Sequence, residues 1–453
     1  MYNNNRATGA RPSGPRPANR FGARPTGTRT GGARPSGSSH SRAGGSSYQG
    51  RSGSSRPTSG GYRGGSSSGG YRGSSSRGGG SRGGFQGQRL DVNSFIKKAV
   101  IVEEIDHFIP EHAFSDFQIE EKLKAAITKK GYTAPTPIQD RTIPHILHGK
   151  DVVGIANTGT GKTAAFLIPL INKVLKDPKE RVLIVCPTRE LAQQINVELK
   201  GFTPAMGIFS VCAVGGTSII PQIRDLRHVN QFVIGTPGHI KDLIERRSLD
   251  LSTTHTVVLD EADRMLDMGF VHDMKYLMSK MPAERHTLFF SATMSKEIEV
   301  LIHEFLKEPV SISVKTQDTS KNVDQDIVRM KAGQDKLQAL HDLLIQPDFG
   351  KVLIFGRTKH GVETLSKNLQ KRGFKAESIH GNKSQSQRSR ALANFKENRS
   401  TILVATDVAA RGLDIPQVSH VINYDIPSTY DDYIHRIGRT GRAGQTGKAL
   451  TVV

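Results

Sequence analysis

Val152-Val153-Gly154-Ile155-Ala156-Asn157-Thr158-Gly159-Thr160-Gly161-Lys162-Thr163 is the stretch that decides the fold. Four apolar residues of buried-strand length run into a glycine-rich turn, and a helical stretch begins near Lys162. Strand, glycine-rich turn and helix together are the setting of a phosphate-binding loop. Glycines let backbone N–H groups close around phosphate oxygens, and the helix N-terminus adds partial positive charge. Thr158, Gly159, Thr160 and Gly161 form the cradle, Lys162 reaches the β- and γ-phosphates, and the Thr163 hydroxyl ligates Mg²⁺. Ala156 stands where the general pattern has its first glycine, and Pro169 predicts a kink or an early end of the following helix.

A phosphate loop needs an acidic partner on a neighbouring strand. Asp260-Glu261-Ala262-Asp263 follows the apolar run Val257-Val258-Leu259, at the carboxyl end where open parallel sheets bind ligands. Asp260 is expected to hold magnesium through its water shell, and Glu261 to position and deprotonate an attacking water.

Outward from this centre, short apolar runs alternate with helical stretches. Val182-Leu183-Ile184-Val185-Cys186, Phe232-Val233-Ile234 and Leu288-Phe289-Phe290 are further strands, with a helix over residues 191–199 between them. The pattern repeats at Val352-Leu353-Ile354-Phe355, Ile402-Leu403-Val404 and Val421-Ile422-Asn423-Tyr424, and Ala449-Leu450-Thr451-Val452-Val453 reads as a last strand. Uninterrupted apolar strands alternating with helices imply parallel sheets covered on both faces. The fold class is α/β: two tandem RecA-like parallel-sheet domains of P-loop NTPase type behind a disordered Arg/Gly/Ser-rich arm. The expected boundaries are 1–90 for the arm, 91–111 for a lead-in, 112–312 for the ATP-binding domain, 313–322 for a linker and 323–453 for the second domain. Residues 315–322 are polar and aperiodic, as suits a hinge. The chain stops inside its last strand, so the second domain is either minimal or continued beyond this sequence.

The 453 residues carry a formal charge of +21, from 63 basic and 42 acidic side chains. Residues 1–90 hold fifteen Arg and no Lys, Asp or Glu, leaving +6 for the remainder. Low apolar content makes this arm unable to offset chain entropy, so it is read as disordered. Arg-Gly units beside Tyr62, Tyr71 and Phe85 suit unpaired bases and phosphates; a solubilising tail is the alternative. Gly and Pro recur too often for the amphipathic helix of an import peptide. Cys186 and Cys212 lie in apolar runs and are read as buried thiols in strands, too few for a disulfide framework or zinc site. No apolar run approaches the ~18 residues of a membrane span.

From about Phe114 to the end, these residues resemble the DEAD-box family of ATP-dependent RNA helicases. Gly131-Tyr132-Thr133-Ala134-Pro135-Thr136-Pro137-Ile138-Gln139 looks like the family's Q motif, which implies adenine recognition by Gln139 and stacking by Phe114, seventeen positions before Gly131. Pro187, Thr188, Arg189, Gly216, Thr236, Pro237 and Gly238 are similar to motifs that hold the RNA backbone, with His239 where the family has Arg. In the second half, Gln385, Arg388 and Thr406 are implied to meet RNA, and Gly412 and Asp414 the ribose. Arg439 and Arg442 match the arginine fingers that stabilise transition-state charge, worth about 10³–10⁵ in other phosphoryl-transfer enzymes. Coupling between the halves is implied for Asp263, Ser291 and Thr293 on one side and Arg411, His435 and Arg436 on the other.

The resemblance implies an RNA-stimulated ATPase that uses ATP and Mg²⁺ to remodel short RNA duplexes with little sequence preference; a monomer is expected, and the lack of targeting signals points to the cytoplasm (or the nucleus, in a eukaryote). The arm offers association with ribonucleoprotein or condensates. An RNA clamp that unwinds little, an arm-led condensate protein and a DNA helicase remain the alternatives.

Overall fold

The computed structural model describes residues 95–98, 108–157, 159–314, 322–410, 415, 417–441 and 446–453. The arm, hinge residues 315–321, Thr158, Arg411, Gly412, Asp414 and Arg442 lie outside the described residues.

Two sheets organise the rest. The first contains β1 (Val152–Ala156), β2 (Val182–Val185), β3 (Ser210–Ala213), β4 (Phe232–Gly235), β5 (Thr256–Leu259), β6 (His286–Ser291) and β7 (Val310–Val314), in the order β3-β4-β2-β5-β6-β1-β7. The second contains β8 (Val323–Val328), β9 (Val352–Phe355), β10 (Ala376–Ile379), β11 (Ile402–Ala405), β12 (His420–Asn423) and β13 (Gly447–Val452), in the order β10-β11-β9-β12-β13-β8. Every pairing within both sheets is parallel.

Burial follows the pleat. Every residue of β2, β4, β5 and β6 is buried, because helices cover both faces. Leu288 and Phe290 enter one core cluster with Phe166 and Ile184, while Phe289 enters the other with Leu183 and Met274. The helix Lys162–Lys176 runs through Pro169 without the early end its proline predicts. Its Phe166, Leu167, Leu170 and Ile171 are fully buried, so packing holds the helix despite the missing N–H.

At β1 the backbone of Gly154 lies against an aromatic neighbour. A Cβ there would fall 2.5 Å from Cε1 and 2.6 Å from Cδ1 of Phe290, whose Cα is its register partner on β6. Gly154→Ala is therefore expected to destabilise the first lobe by about 1–3 kcal/mol through overpacking. A urea midpoint below that of the parent chain, partly restored by Phe290→Leu, is the outcome to look for; an unchanged midpoint would show that the ring yields freely.

Candidate active site

Three adjacent strands, β5, β6 and β1, end side by side, and each delivers one part of the site. After β1, Gly159 and Gly161 take left-handed backbones (φ +87° and +95°). Gly161 opens the helix Lys162–Lys176, and a side chain there would collide with Gln139 Nε2. Lys162 is buried and donates through Nζ to the Ala156 carbonyl at 2.7 Å, so its ammonium already lies inside the loop. The Thr160 hydroxyl donates to the Asn157 carbonyl at 2.8 Å.

After β5 come the carboxylates. Asp260 is buried and accepts the Glu261 N–H at 3.0 Å. Burial pushes its carboxyl up to about 7, with the negative charges of Glu261 and Asp263 adding and Lys162 pulling back. Glu261 has φ +53°, a conformation non-glycine residues adopt at a cost of order 1 kcal/mol. Its buried Oε2 has no hydrogen-bond partner. Arg264 Nε sits 3.3 Å from that oxygen, close enough for an ion pair but off the line of a hydrogen bond. Asp263 Oδ2 accepts the Ala292 N–H at 3.2 Å and the Thr293 hydroxyl at 3.3 Å, and the Ser291 hydroxyl donates to the Thr293 carbonyl at 2.7 Å. The carboxylates after β5 are thereby tied to the end of β6.

The donors fit a hard divalent cation. Asp263 Oδ1 and Glu261 Oε2 are buried without hydrogen bonds, and burial with nearby like charge raises the Asp260 carboxyl to about 7. Among the described residues no three His, Cys, Asp or Glu side chains are grouped to hold a metal. Thr163 and Asp260 are oxygen donors of the kind Mg²⁺ takes when phosphates complete its shell.

Gln139 is 1% exposed; its Oε1 accepts the Thr136 N–H at 3.0 Å and its Nε2 donates to the Gly161 carbonyl at 3.0 Å. In this arrangement it braces the phosphate loop. Phe114 is buried, edge-on to Phe117 and Tyr132 with centroids 6.0 and 5.8 Å away. Buried Asp140, next to Gln139, accepts the Glu111 and His112 N–H groups at 2.9 and 3.1 Å and so fixes the segment carrying Phe114.

Of the residues assigned to RNA, several share one surface of the first lobe. Pro187 is buried, and Thr188 caps the helix Arg189–Phe202 by accepting the Leu191 N–H. The Arg189 guanidinium lies across Gly215 and Gly216, where a Cβ on left-handed Gly216 would strike Nη1. Thr236 is the residue before the helix Pro237–Glu245, whose second residue, Gly238, is exposed. His239, which stands where the resemblance implies an arginine, faces Gln222 Oε1 at 2.9 Å, and burial lowers its pKa.

In the second lobe, Gln385 and Arg388, expected to meet RNA, make contacts between the lobes: Arg388 Nη2 donates to Glu190 Oε2 at 2.7 Å, and Gln385 Nε2 to Glu190 Oε1 and Gln193 Oε1 at 3.1 Å each. Glu190 is buried, and a carboxylate removed from water takes whatever cation is in reach. Arg436, assigned to coupling, is enclosed within the second lobe. Its Nη2 donates to Asp407 at 2.8 Å, its Nη1 to Asn423 Oδ1 and the Asp425 carbonyl, and its guanidinium lies over the Phe355 ring. Thr406 is buried at the end of β11.

His435 does reach across: Arg264 Nη2 donates to its Nδ1 at 2.9 Å. Arg264, 1% exposed, was not singled out in the sequence, although a base three positions after Glu261 on a helix start is the spacing of an ion pair. Glu190, next to Arg189, was not singled out either. A cleft of about 540 Å³ runs from Lys162, Thr163, Asp260 and Glu261 to Ser389 and Lys396 of the second lobe. Arg439 does not line it; its Nε donates to the His435 carbonyl at 3.3 Å, and it borders a small recess with Phe355 and Asp407.

Comparison with known proteins follows the same layout. Residues 136–301 match the family model "DEAD/DEAH box helicase", and residues 335–444 match "Helicase conserved C-terminal domain". Over 342 residues the chain is 46% identical to ATP-dependent RNA helicase CshA of Listeria monocytogenes, covering 75% of this chain and 66% of that one. It is 45% identical over 341 residues to RNA helicase CrhR of Synechocystis, covering 75% and 69%. The chain thus spans about two thirds of the length of these relatives. Saccharomyces cerevisiae Dbp5 bound to RNA and ADP BeF3 matches with a TM-score of 0.68 at 30% identity, over 75% of this chain and 89% of that one. Mss116p bound to single-stranded RNA and AMP-PNP matches with 0.67 at 32% identity, over 74% and 72%.

Arg388→Ala would leave Glu190 buried without its cation wherever the lobes touch, a penalty of order 3–5 kcal/mol on the docked state. ATPase measured with saturating RNA is expected to fall at least about tenfold while a fluorescent ATP analogue binds as before, and adding Glu190→Gln should recover part of the loss. Additive losses in the double variant would show that the pair does not hold the lobes together.

Proposed function

The chain belongs to the DEAD/DEAH box helicase family of ATP-dependent RNA helicases, and from that premise we propose how its own residues couple ATP hydrolysis to RNA remodelling. One observation carries the proposal: Glu261 is a buried carboxylate, held in a left-handed backbone beside the phosphate loop, with one oxygen free of hydrogen bonds. A carboxylate so placed is available to accept a proton from water.

In this scheme Gly159, Gly161 and Lys162 hold the triphosphate, with Thr158 in the same loop. Lys162 exchanges the Ala156 carbonyl for phosphate oxygens. Thr163 and Asp260 hold Mg²⁺, which supplies positive charge to the phosphates. Glu261 orients and deprotonates the attacking water, and the ion pair with Arg264 at 3.3 Å aims its carboxylate. Phe114 and Gln139 select adenine once the ring of Phe114 is uncovered. Arg439 and Arg442 approach from the second lobe as that lobe closes, with Gly412 and Asp414 beside the ribose.

RNA enters the same cycle from the surface formed by Thr188, Arg189, Gly216, Thr236 and Gly238, and from Thr406 across the cleft. Hydroxyl, guanidinium and backbone N–H groups bond phosphate without reading bases, so little sequence preference follows. Asp263, Ser291 and Thr293 connect the carboxylates to the end of β6, and Arg264 connects them to His435, so lobe position and hydrolysis are read by one network. The protein acts as a monomer in the cytoplasm, where the arginine-rich arm raises local RNA concentration in a salt-dependent way and favours ribonucleoprotein association. Among the described residues no helix is long and apolar enough to cross a membrane.

Glu261→Gln tests the scheme directly. Turnover is expected to drop about 10²–10⁴-fold, because proton transfer alone is removed, while ATP and RNA still bind together. Single-turnover ATPase beside fluorescence anisotropy of labelled RNA measures both; normal turnover would refute the assignment. ATPase stimulation by RNA but not by DNA of the same sequence checks the substrate.

A further inference from the structure

The chain reaches residues 95–98 before it enters the first lobe, yet these residues lie on the second. Phe95 is 0% exposed and belongs to a core cluster with Val323, Tyr433, Ile437 and Ala449. Its ring centroid is 4.4 Å from that of Tyr433. Lys97 and Gln325 exchange both backbone hydrogen bonds, Lys97 N–H to Gln325 O at 3.0 Å and Gln325 N–H to Lys97 O at 2.7 Å, as an antiparallel pair on the free edge of β8. Lys97 Nζ donates to the Tyr430 hydroxyl at 3.0 Å, and Lys98 pairs with Asp324 at 3.5 Å. The Tyr433 hydroxyl donates to Gln325 Oε1 at 3.0 Å and lies 3.5 Å from the Phe95 carbonyl.

The contacts of Phe95 and Lys97 with Tyr433 and Tyr430 fall on the helix Tyr430–Ile437, and the Lys97–Gln325 and Lys98–Asp324 pairs hold the segment to β8 beside it. Tyr430, Tyr433 and Ile437 repeat at the three- and four-residue spacing of one helix face. That face rests on residues 95–98. His435, on the other side of the same helix, meets Arg264 of the first lobe, and Arg439 follows one turn later, tied to the His435 carbonyl. Eight residues make too short a helix to hold its own position, so its placement depends on what it packs against.

We infer that residues 95–98 are a positioning segment for the reaction: Phe95 and the Lys97–Gln325 pair brace the helix Tyr430–Ile437, and thereby set where His435 and Arg439 stand opposite the first lobe. The inference rests on the role given to Arg439 under the proposed function. It also gives the lead-in a task of its own, separate from the arm before it. A segment outside the two sheets governs the aim of a catalytic side chain, so turnover is affected and ATP binding by the first lobe is left alone.

The test uses the full chain with Phe95→Ala, Phe95→Leu and Lys97→Pro, beside Arg439→Ala. ATPase is measured at saturating RNA to separate kcat from KM for ATP, and a thermal melt reports folding. Phe95→Ala is expected to lower kcat about tenfold, since small displacements of a catalytic group are costly. KM should stay within about twofold, because the phosphate loop is untouched. Phe95→Leu should regain most of the loss by refilling the pocket. Should Phe95→Ala fail to fold, Lys97→Pro, which removes one strand hydrogen bond and the Nζ bond to Tyr430 but keeps the Phe95 ring, is expected to lower kcat in the same direction with KM unchanged. Parental kcat in folded variants overturns the inference, as does a fall in kcat that tracks the melt equally for Ala and Leu. If Arg439→Ala abolishes turnover while the Phe95 variants are normal, the positioning role fails and the function stands; if Arg439→Ala is itself normal, the assigned function of Arg439 fails.

Discussion

Three carboxylates, Asp260, Glu261 and Asp263, are buried within four residues of chain, opposed by the buried cations of Lys162 and Arg264. That inventory leaves the site short of positive charge in a place where unpaired charge is costly. Burial above all, with the neighbouring negative charges adding, pushes the carboxyl of Asp260 up to about 7, and one oxygen each of Glu261 and Asp263 stays without a hydrogen bond. A divalent cation bound there would offset the deficit. His435 of the second lobe accepts a hydrogen bond from Arg264 through Nδ1, which ties the lobe contact to the same cluster without adding charge to it.

The contact between lobes has a matching character. Its centre is polar, with Glu190 buried between Arg388 and Gln385, and Ser389 and Gln193 beside it. A buried ion pair adds little net stability over apolar packing, yet it is sensitive to geometry. Such an interface would close in one register and open readily, which suits the lobe closure proposed above. The two sheets have their own cores: the apolar clusters of the first lobe and those of the second share no residue.

Legibility in the sequence followed burial. The central strands β2, β4, β5, β9, β11 and β12 are buried at every position, and their unbroken apolar runs were read directly. The four strands at the sheet edges, β3, β7, β8 and β10, were not quoted as strands, β3 surfacing only through the apolar run around Cys212. Edge strands face a helix on fewer sides, so polar residues enter: Ser311 and Ser313 in β7, Asp324 and Asp326 in β8, Glu377 in β10. The phosphate loop and the acidic cluster were legible because their chemistry fixes residue type at fixed spacing. Arg264, Glu190 and Phe95 were not, because each acquires its role from a partner far along the chain, 171, 198 and 338 residues away.

The segment around His435 shows why a motif is not one function. On the helix Tyr430–Ile437, residues three or four apart share a face, and residues two apart point away from each other. Tyr433, Arg436 and Ile437 accordingly turn inward: Arg436 is closed around Asp407, Asn423 and Asp425, and Tyr433 and Ile437 pack with Phe95. His435 is left on the opposite side, free to meet Arg264. Adjacent residues of one motif thus divide into an internal strut and an outward contact. The proposed coupling through His435 would need that strut, because a helix able to rock would absorb a displacement before it reached Arg264; Arg436 would then serve the coupling without touching anything beyond its own lobe.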